Sequence, residues 1–147
     1  MTCRREHPRN LVEGVRFMRL REVLEVIDGK VIAQNADLDI EVRMGCGADL
    51  MSDVLAFTHT NTLLLTGLTN PQVVRTADMA GIQAIVFVRG KLPPPETVAL
   101  ANDKGIPLFA SKYTMFETAG RLYRAGLQSC GVFESSLRRW HEFFDAA

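Results

Sequence analysis

Four short stretches of this chain carry the residue types that could do chemistry on an anion. Gly45 and Gly47 belong to Gly45–Ala48, and Thr66, Gly67, Thr69 and Asn70 to Thr66–Asn70. Arg89, Gly90 and Lys91 form the third stretch, and Ser111, Lys112 and Thr114 belong to the fourth, Ser111–Thr114. Glycines let backbone approach a ligand closely. The hydroxyls offer hydrogen bonds, and Arg89, Lys91 and Lys112 supply positive charge. Three of the stretches lead into predicted helix N-termini, whose free N–H groups favour an anion. Gathered at one edge of a sheet, they would suit a phosphate or a nucleotide. Capping and solvation alone would produce the same composition in any α/β domain.

No stronger chemistry stands beside them. The chain has neither G-x-x-x-x-G-K-[ST] nor G-x-G-x-x-G, since Gly45-Cys46-Gly47 lacks a third glycine at the required spacing. Ser52, Ser111, Ser129, Ser135 and Ser136 have no histidine in an elbow or triad context. Cys46 precedes a predicted helix start, which could lower its pKa, although a small buried loop residue is the simpler reading. Asp49 and Asp53 are four apart and would share a helical face, with Asp49 serving as a partner of the helix dipole. Cys3, Cys46 and Cys130 are odd in number and far apart, which argues against a disulfide framework and a cysteine zinc site. His7, His59 and His141 are equally scattered. The reading therefore assigns no catalytic residue, no metal and no cofactor.

The elements that must position these stretches follow a strand–helix rhythm. Leu63–Thr66 and Ala84–Val88 are apolar throughout, which suits parallel strands covered on both faces. Between them Asn70 is placed as N-cap, Pro71 in the first turn, Val73, Val74 and Ala77 at helical spacing, and Gly81 at the C-cap. Upstream, Leu20, Val23, Leu24 and Ile27 define a helix ended by Asp28-Gly29. Val31–Ala33 and Ile40–Met44 read as strands, Gly45-Cys46-Gly47 as a loop and Asp49–Phe57 as a helix. Downstream come a helix over Glu96–Lys104, a strand over Pro107–Ala110 and a helix over Thr114–Ala125 with Glu117 at the capping-box spacing. A last amphipathic helix, Phe133–Phe144, carries Leu137, Trp140, Phe143 and Phe144 on a stripe. The stripe packs either on its own domain or on a second copy. The pattern predicts an α/β fold with a mainly parallel sheet and helices on both faces. Ile40–Met44, Leu63–Thr66, Ala84–Val88 and Pro107–Ala110 are its expected parallel neighbours.

Bulk properties exclude several classes. Seventeen basic residues balance seventeen acidic ones, which disfavours nucleic acid as a partner; Arg4, Arg5, Arg9 and Arg16 read as a solvated arm. No apolar run approaches the roughly 20 residues of a membrane helix. The N-terminus has no apolar core of a signal peptide, so a cytoplasmic location and no membrane partner are expected. At 147 residues, 47% hydrophobic, the chain has the length of one core-bearing domain. Residues 1–17 are taken as a mobile N-terminal extension, 18–126 as the α/β domain and 127–147 as a C-terminal helical extension.

The segments GADLMSDVLAF, LLLTGLTNPQVVRTADM, AIVFVRGK and GIPLFASKYTMFETAGRLY resemble the DRTGG domain family, over about Met18 to Tyr123. That family is similar to the N-terminal domain of bacterial HPr kinase/phosphorylase. The resemblance implies a three-layer α/β/α fold and a regulatory or dimerising module, attached elsewhere to enzymes and without catalytic activity of its own. It also implies a homodimer and a partner enzyme, and stand-alone forms resemble small proteins encoded beside iron-only hydrogenase and redox-enzyme genes. The family's Asp-Arg pair should fall near Thr66–Asn70, where this chain has Thr-Gly-Leu-Thr-Asn, and its Thr-Gly-Gly at Val88-Arg89-Gly90, where only Gly90 is kept. The expectation is thus a non-catalytic regulatory or interaction module sensing a small anionic metabolite or nucleotide. The alternative is a small enzyme acting on a phosphorylated substrate at the strand C-terminal edge. The absence of Asp, Glu and His from the four stretches speaks against the enzyme.

Overall fold

The computed structural model describes residues 11–12, 15–32, 37–57, 61–131 and 134–146. In chain order the elements begin with β1 (Leu11–Val12), β2 (Val15–Arg16), β3 (Met18–Arg19), α1 (Leu20–Ile27), β4 (Lys30–Val31) and β5 (Glu41–Val42). The alternating part follows: β6 (Met44–Gly47), α2 (Met51–Phe57), β7 (Thr62–Thr66), α3 (Pro71–Ala80), β8 (Ala84–Phe87), α4 (Pro95–Lys104) and β9 (Leu108–Ala110). The chain closes with α5 (Met115–Ala125), β10 (Gln128–Ser129) and α6 (Glu134–Asp145). Six strands form one sheet in the order β10-β6-β7-β8-β9-β4, parallel throughout except for β4, which runs antiparallel to β9 at the edge.

The alternation of side chains along a strand decides the layers. Leu63 and Leu65 of β7, with Ala84 and Val86 of β8, meet Leu20, Val23 and Ile27 of α1 and Leu122 of α5. Leu64, Ile85 and Leu108 face the other way, onto Val54 of α2, Val73, Val74 and Ala77 of α3 and Ala101 of α4. Both faces are therefore covered, which is why β7 and β8 are buried at every residue. The result is the three-layer α/β/α fold with a mainly parallel sheet.

Strand order also explains which helix lies where. β6 to β9 advance one neighbour at a time, and α2, α3 and α4 share a face. After β9 the chain doubles back beyond β6 to lay down β10, so α5 crosses on the opposite face, packed against β7 and β6. The loops leaving β8 and β9 consequently diverge to opposite faces. In an open α/β sheet such a divergence opens a crevice at the carboxyl edge.

Several local expectations are corrected. Ile40–Met44 is not one sheet strand: Glu41–Val42 pairs antiparallel with Met18–Arg19 in a separate ribbon, and the sheet strand is Met44–Gly47. Gly45-Cys46-Gly47 is therefore strand rather than loop. The glycines are there because neighbours press on the strand. A Cβ at Gly45 would stand 3.0 Å from Leu127 Cδ2, and one at Gly47 3.3 Å from Met115 Sδ. The strand expected at Val31–Ala33 is Lys30–Val31, with Ala33 outside the described residues. The second helix starts at Met51, not Asp49, so Asp49 and Asp53 do not share a helical face. Asn70 occupies the N-cap of α3 in extended conformation, but its side chain makes no capping bond.

The sheet also runs past residue 126, because Leu127 is buried in the core and Gln128–Ser129 pairs with β6. Most of the expected N-terminal extension lies outside the described residues, Arg4, Arg5 and Arg9 included. Arg16 does not: it donates to the Ala125 carbonyl and pairs with Glu22 at 3.1 Å. Phe133 is likewise outside the described residues. Leu137, Trp140, Phe143 and Phe144 of α6 are all exposed, so the stripe does not pack on its own domain. Among the described residues no helix is long and apolar enough to cross a membrane.

Candidate ligand-binding site

The carboxyl edge is organised by a residue outside the four stretches. Asp49 leaves β6 and turns over the end of β7, where its Oδ1 accepts from Gly67 N at 2.8 Å and from Thr66 Oγ1 at 3.1 Å. The buried Thr66 hydroxyl in turn accepts from Leu68 N at 3.2 Å. These specific bonds, rather than the dipole of α2, hold Asp49. The carboxylate that seemed missing from this edge is thus present in it, and the argument against an enzyme from missing acids loses its basis.

Gly67 is the floor on which opposite charges converge. A Cβ there would lie 3.3 Å from Arg89 Nη2 and 3.6 and 3.7 Å from the two Asp49 carboxylate oxygens. Arg89 follows β8 with φ +61°, a left-handed conformation that an ordinary side chain adopts at a cost of about 1–2 kcal/mol. Three bonds hold it there: Arg89 N to Tyr113 O at 2.7 Å, Gly90 N to Ser111 O at 2.8 Å and Lys91 N to Val88 O at 3.3 Å. The turn is thereby tied to the loop leaving β9. Among the described residues Arg89 has no ion-pair partner.

Asp49, Gly67, Val88 and Arg89 line a cleft of about 330 Å³ whose other wall is Thr114, Met115 and Phe116. That wall is the N-terminus of α5. Thr114 caps it by accepting from Glu117 N at 3.2 Å, and the Glu117 carboxylate accepts from Arg121 Nε at 3.0 Å. The remaining first-turn N–H groups of a helix have no internal partner and carry its positive end.

Phe116, 89% exposed, belongs also to a second, apolar cleft of about 310 Å³. Its floor is Gly45, Gly47, Leu65 and Leu127, and its rim Gln128 and Ser129. Phe116, Gly120 and Tyr123 follow one another at helical spacing along α5 and line its side. Nothing lies within 4 Å of where a Gly120 side chain would begin, so the glycine leaves a slot between two exposed aromatic rings.

The twelve expected residues separate into groups. Gly67, Arg89 and Thr114 meet around the first cleft. Thr66 supports Asp49 from below. Gly45 and Gly47 belong to the apolar cleft. Gly90, Ser111 and Lys112 border a separate depression with Asp28 and Lys30. All three are engaged structurally: Gly90 N donates to Ser111 O, buried Ser111 donates to Ile27 O at 3.2 Å, and Lys112 pairs with Asp28 at 3.0 Å. Hydrogen bonding and charge within that exposed pair lower the Asp28 pKa and raise that of Lys112. Thr69 contributes its carbonyl, which accepts from Thr97 Oγ1 at 2.7 Å. Asn70 and Lys91 stand on the exposed surface outside the cleft lining. Cys46 is half-buried in β6, and burial, then the neighbouring Cys130 and Asp53, push its thiol up to about 12. The simpler reading of a small buried residue holds for burial but not for a loop, and the alternative of a pKa lowered by a helix start is reversed. Among the described residues no three His, Cys, Asp or Glu side chains converge as a metal site.

The family model described as the DRTGG domain matches residues 22–125, most of the chain and all of the strands that bear both clefts except β10. The chain belongs to the DRTGG domain family. No curated protein sequence matches it significantly. A similar solved structure is that of the CBS and DRTGG domains of the regulatory region of Clostridium perfringens pyrophosphatase, complexed with the activator diadenosine tetraphosphate. The two share 9% identity and superpose with a TM-score of 0.61 over 84% of this chain; the likeness is one of fold. The match covers 59% of that longer chain.

In this DRTGG domain the two segments expected to hold the family signature, Thr66–Asn70 and Val88–Gly90, flank the charged cleft from adjacent strands. Asp49, Met115, Phe116, Gly120 and Tyr123 were missed as site residues. For Asp49 a signal existed, since it stands two residues after the Gly45-Cys46-Gly47 run. For the aromatic slot the signal was Phe116, Gly120 and Tyr123 spaced along one helix face, with a glycine where a helix prefers alanine.

Proposed function

We propose that this DRTGG domain is a non-catalytic regulatory module that senses a small anionic metabolite, and that a nucleotide is the class it fits. The observation that carries the reading is the Arg89 guanidinium, free of ion-pair partners among the described residues, poised over Gly67 in a cleft that shares Phe116 with an apolar slot. A phosphate would take the guanidinium fork and the first-turn N–H groups of α5. The second Asp49 oxygen, facing the same point above Gly67, would accept from a sugar hydroxyl. A base would stack against Phe116 and enter the slot toward Tyr123. The nucleotide held by the fold neighbour supports the class without assigning the residues.

A titration of the full chain with ATP, AMP and diadenosine tetraphosphate, set against adenosine and inorganic phosphate, tests the reading. Nucleotides should raise the melting temperature in proportion to occupancy. Removing Arg89 should cost about 1.5–3 kcal/mol of binding, roughly ten- to more than a hundred-fold in affinity. Absence of any nucleotide-dependent shift at millimolar concentration refutes it.

The alternative, a small enzyme for a phosphorylated substrate, gains one observation from Asp49 in the cleft. The two bonds Asp49 accepts commit its Oδ1 as an acceptor, which favours a positioning role over proton transfer. The exposed aromatic face of α6 supports a homodimer, with a partner enzyme reading the liganded state. A cytoplasmic location, and the redox or hydrogenase connection that rests on the GADLMSDVLAF resemblance, belong to the same proposal.

A further inference from the structure

The strand order joins two cysteines that the chain keeps far apart. β10 pairs with β6 through Gln128 opposite Met44 and Ser129 opposite Gly45. One step further along the same register places Cys130 across from Cys46. The two thiols are near enough for Cys130 to raise the Cys46 pKa, and each residue is half-buried, so small reagents reach them. Directly opposed residues on adjacent strands project from the same face of a sheet. Neighbouring strands lie about 4.7–4.9 Å apart, inside the span of roughly 4.4–6.8 Å between Cα atoms that a disulfide bridges.

We propose that Cys46 and Cys130 form a reversible disulfide that clamps the edge strand β10 to β6 behind the wall of the apolar slot, on the opposite face of the sheet. The pairing it would reinforce is the shortest of the sheet's parallel pairings, two residues long, and both partners line the slot: Gly45 and Gly47 from β6, Gln128 and Ser129 from β10. Clamping them narrows the opening motions of that wall and anchors the start of the segment that leads to α6.

The oxidant is a low-molecular-weight disulfide such as oxidised glutathione. One cysteine attacks a glutathione sulfur, forming a mixed disulfide and releasing the first glutathione thiol. The second cysteine attacks the protein sulfur of that mixed disulfide, forming the Cys46–Cys130 bond and releasing the second. Two protein thiols are oxidised, one glutathione disulfide is reduced, and both protons leave on glutathione. Because its thiol is pushed up to about 12, Cys46 ionises reluctantly, and the exchange quickens as pH rises.

The reduced full chain, incubated in native buffer with oxidised glutathione, should lose two hydrogens from the Cys46–Cys130 pair, read in intact mass beside at most one glutathione carried on Cys3. Tryptic digestion without reductant should join Met44–Arg75 to Ala125–Arg138. Cys46→Ser and Cys130→Ser, each checked for a native circular dichroism spectrum, should instead carry one glutathione on the remaining member of the pair. In urea the wild-type linkage should scatter to include Cys3. Hydrogen exchange at Leu127–Cys130 should slow at least several-fold on oxidation and recover with dithiothreitol. A wild-type chain that carries two glutathiones, stays reduced, or links through Cys3 under native conditions overturns the proposal.

Discussion

Arg89 offers a perturbation whose effects on stability and binding have opposite signs. Its backbone sits at φ +61°, and its N–H is committed to Tyr113 O at 2.7 Å, a bond that any non-proline residue keeps. Replacement by glycine removes a left-handed penalty of about 1–2 kcal/mol. It adds roughly 0.5–1 kcal/mol of unfolded-state entropy. The net gain is about 0.5–1 kcal/mol, which for a domain of this size raises the melting temperature by roughly 1–4 °C. Arg89→Ala keeps the penalty and should melt within about 0.5 kcal/mol of wild type, as befits an exposed side chain without an ion pair among the described residues. Both variants lose the guanidinium, so both should bind nucleotide ten- to a hundred-fold more weakly. Calorimetric melting of the three proteins, followed by titration with the tightest nucleotide, separates the effects. If Arg89→Gly melts below Arg89→Ala, the strain argument is wrong. If either variant binds as wild type does, the site is elsewhere.

Asp49→Ala should destabilise the domain by about 2–3 kcal/mol, roughly 5–10 °C in melting temperature, because it removes the acceptor of both Gly67 N and the buried Thr66 hydroxyl; an unchanged melt would show that the bonds are not what holds this edge. The Cys46 thiol, raised from 9.0 to about 12 by burial, Cys130 and Asp53, contributes stability that is complete below pH 9 and is lost as pH climbs toward 12, since the unfolded chain ionises first. Stability of the wild type should therefore fall more steeply between pH 9 and 11 than that of Cys46→Ser, and parallel slopes would contradict this. Light scattering at tens of micromolar protein should give a dimer mass for the wild type and a monomer mass for Trp140→Glu, whose target is 61% exposed on α6; a monomeric wild type would refute the dimer.

Much of the local structure follows from neighbouring residues, although Asn70 makes no capping bond and α2 starts at Met51. Leu63–Thr66 and Ala84–Phe87 are strands because unbroken apolar runs are tolerated only between two covering layers. The helix between them follows from Pro71 at its first turn, Val73, Val74 and Ala77 at its spacing and a left-handed Gly81 at its end. Thr114 caps α5 through Glu117 N, a contact spanning three residues. Each of these rests on interactions within about one turn or one strand, so composition and period suffice.

The misreadings have the opposite character. Gly45 and Gly47 looked like loop because a glycine's place in a strand depends on what presses against it, here Leu127 and Met115 from a late part of the chain. Asp49 looked like a helix-dipole partner because Met51 was near in sequence, while its actual donors, Thr66 and Gly67, lie beyond the helix. Ser111 and Lys112 had the right chemistry for a ligand, yet Ile27 O and Asp28 already occupy them. Cys46 and Cys130 were counted as distant until β10 folded back alongside β6. Residue types, helix ends and the strand–helix alternation are local properties carried by the sequence directly. The convergence of Asp49, Gly67, Arg89 and Phe116 follows from the order of the strands and from α5 crossing over them, which the free energy of the whole packed sheet selects.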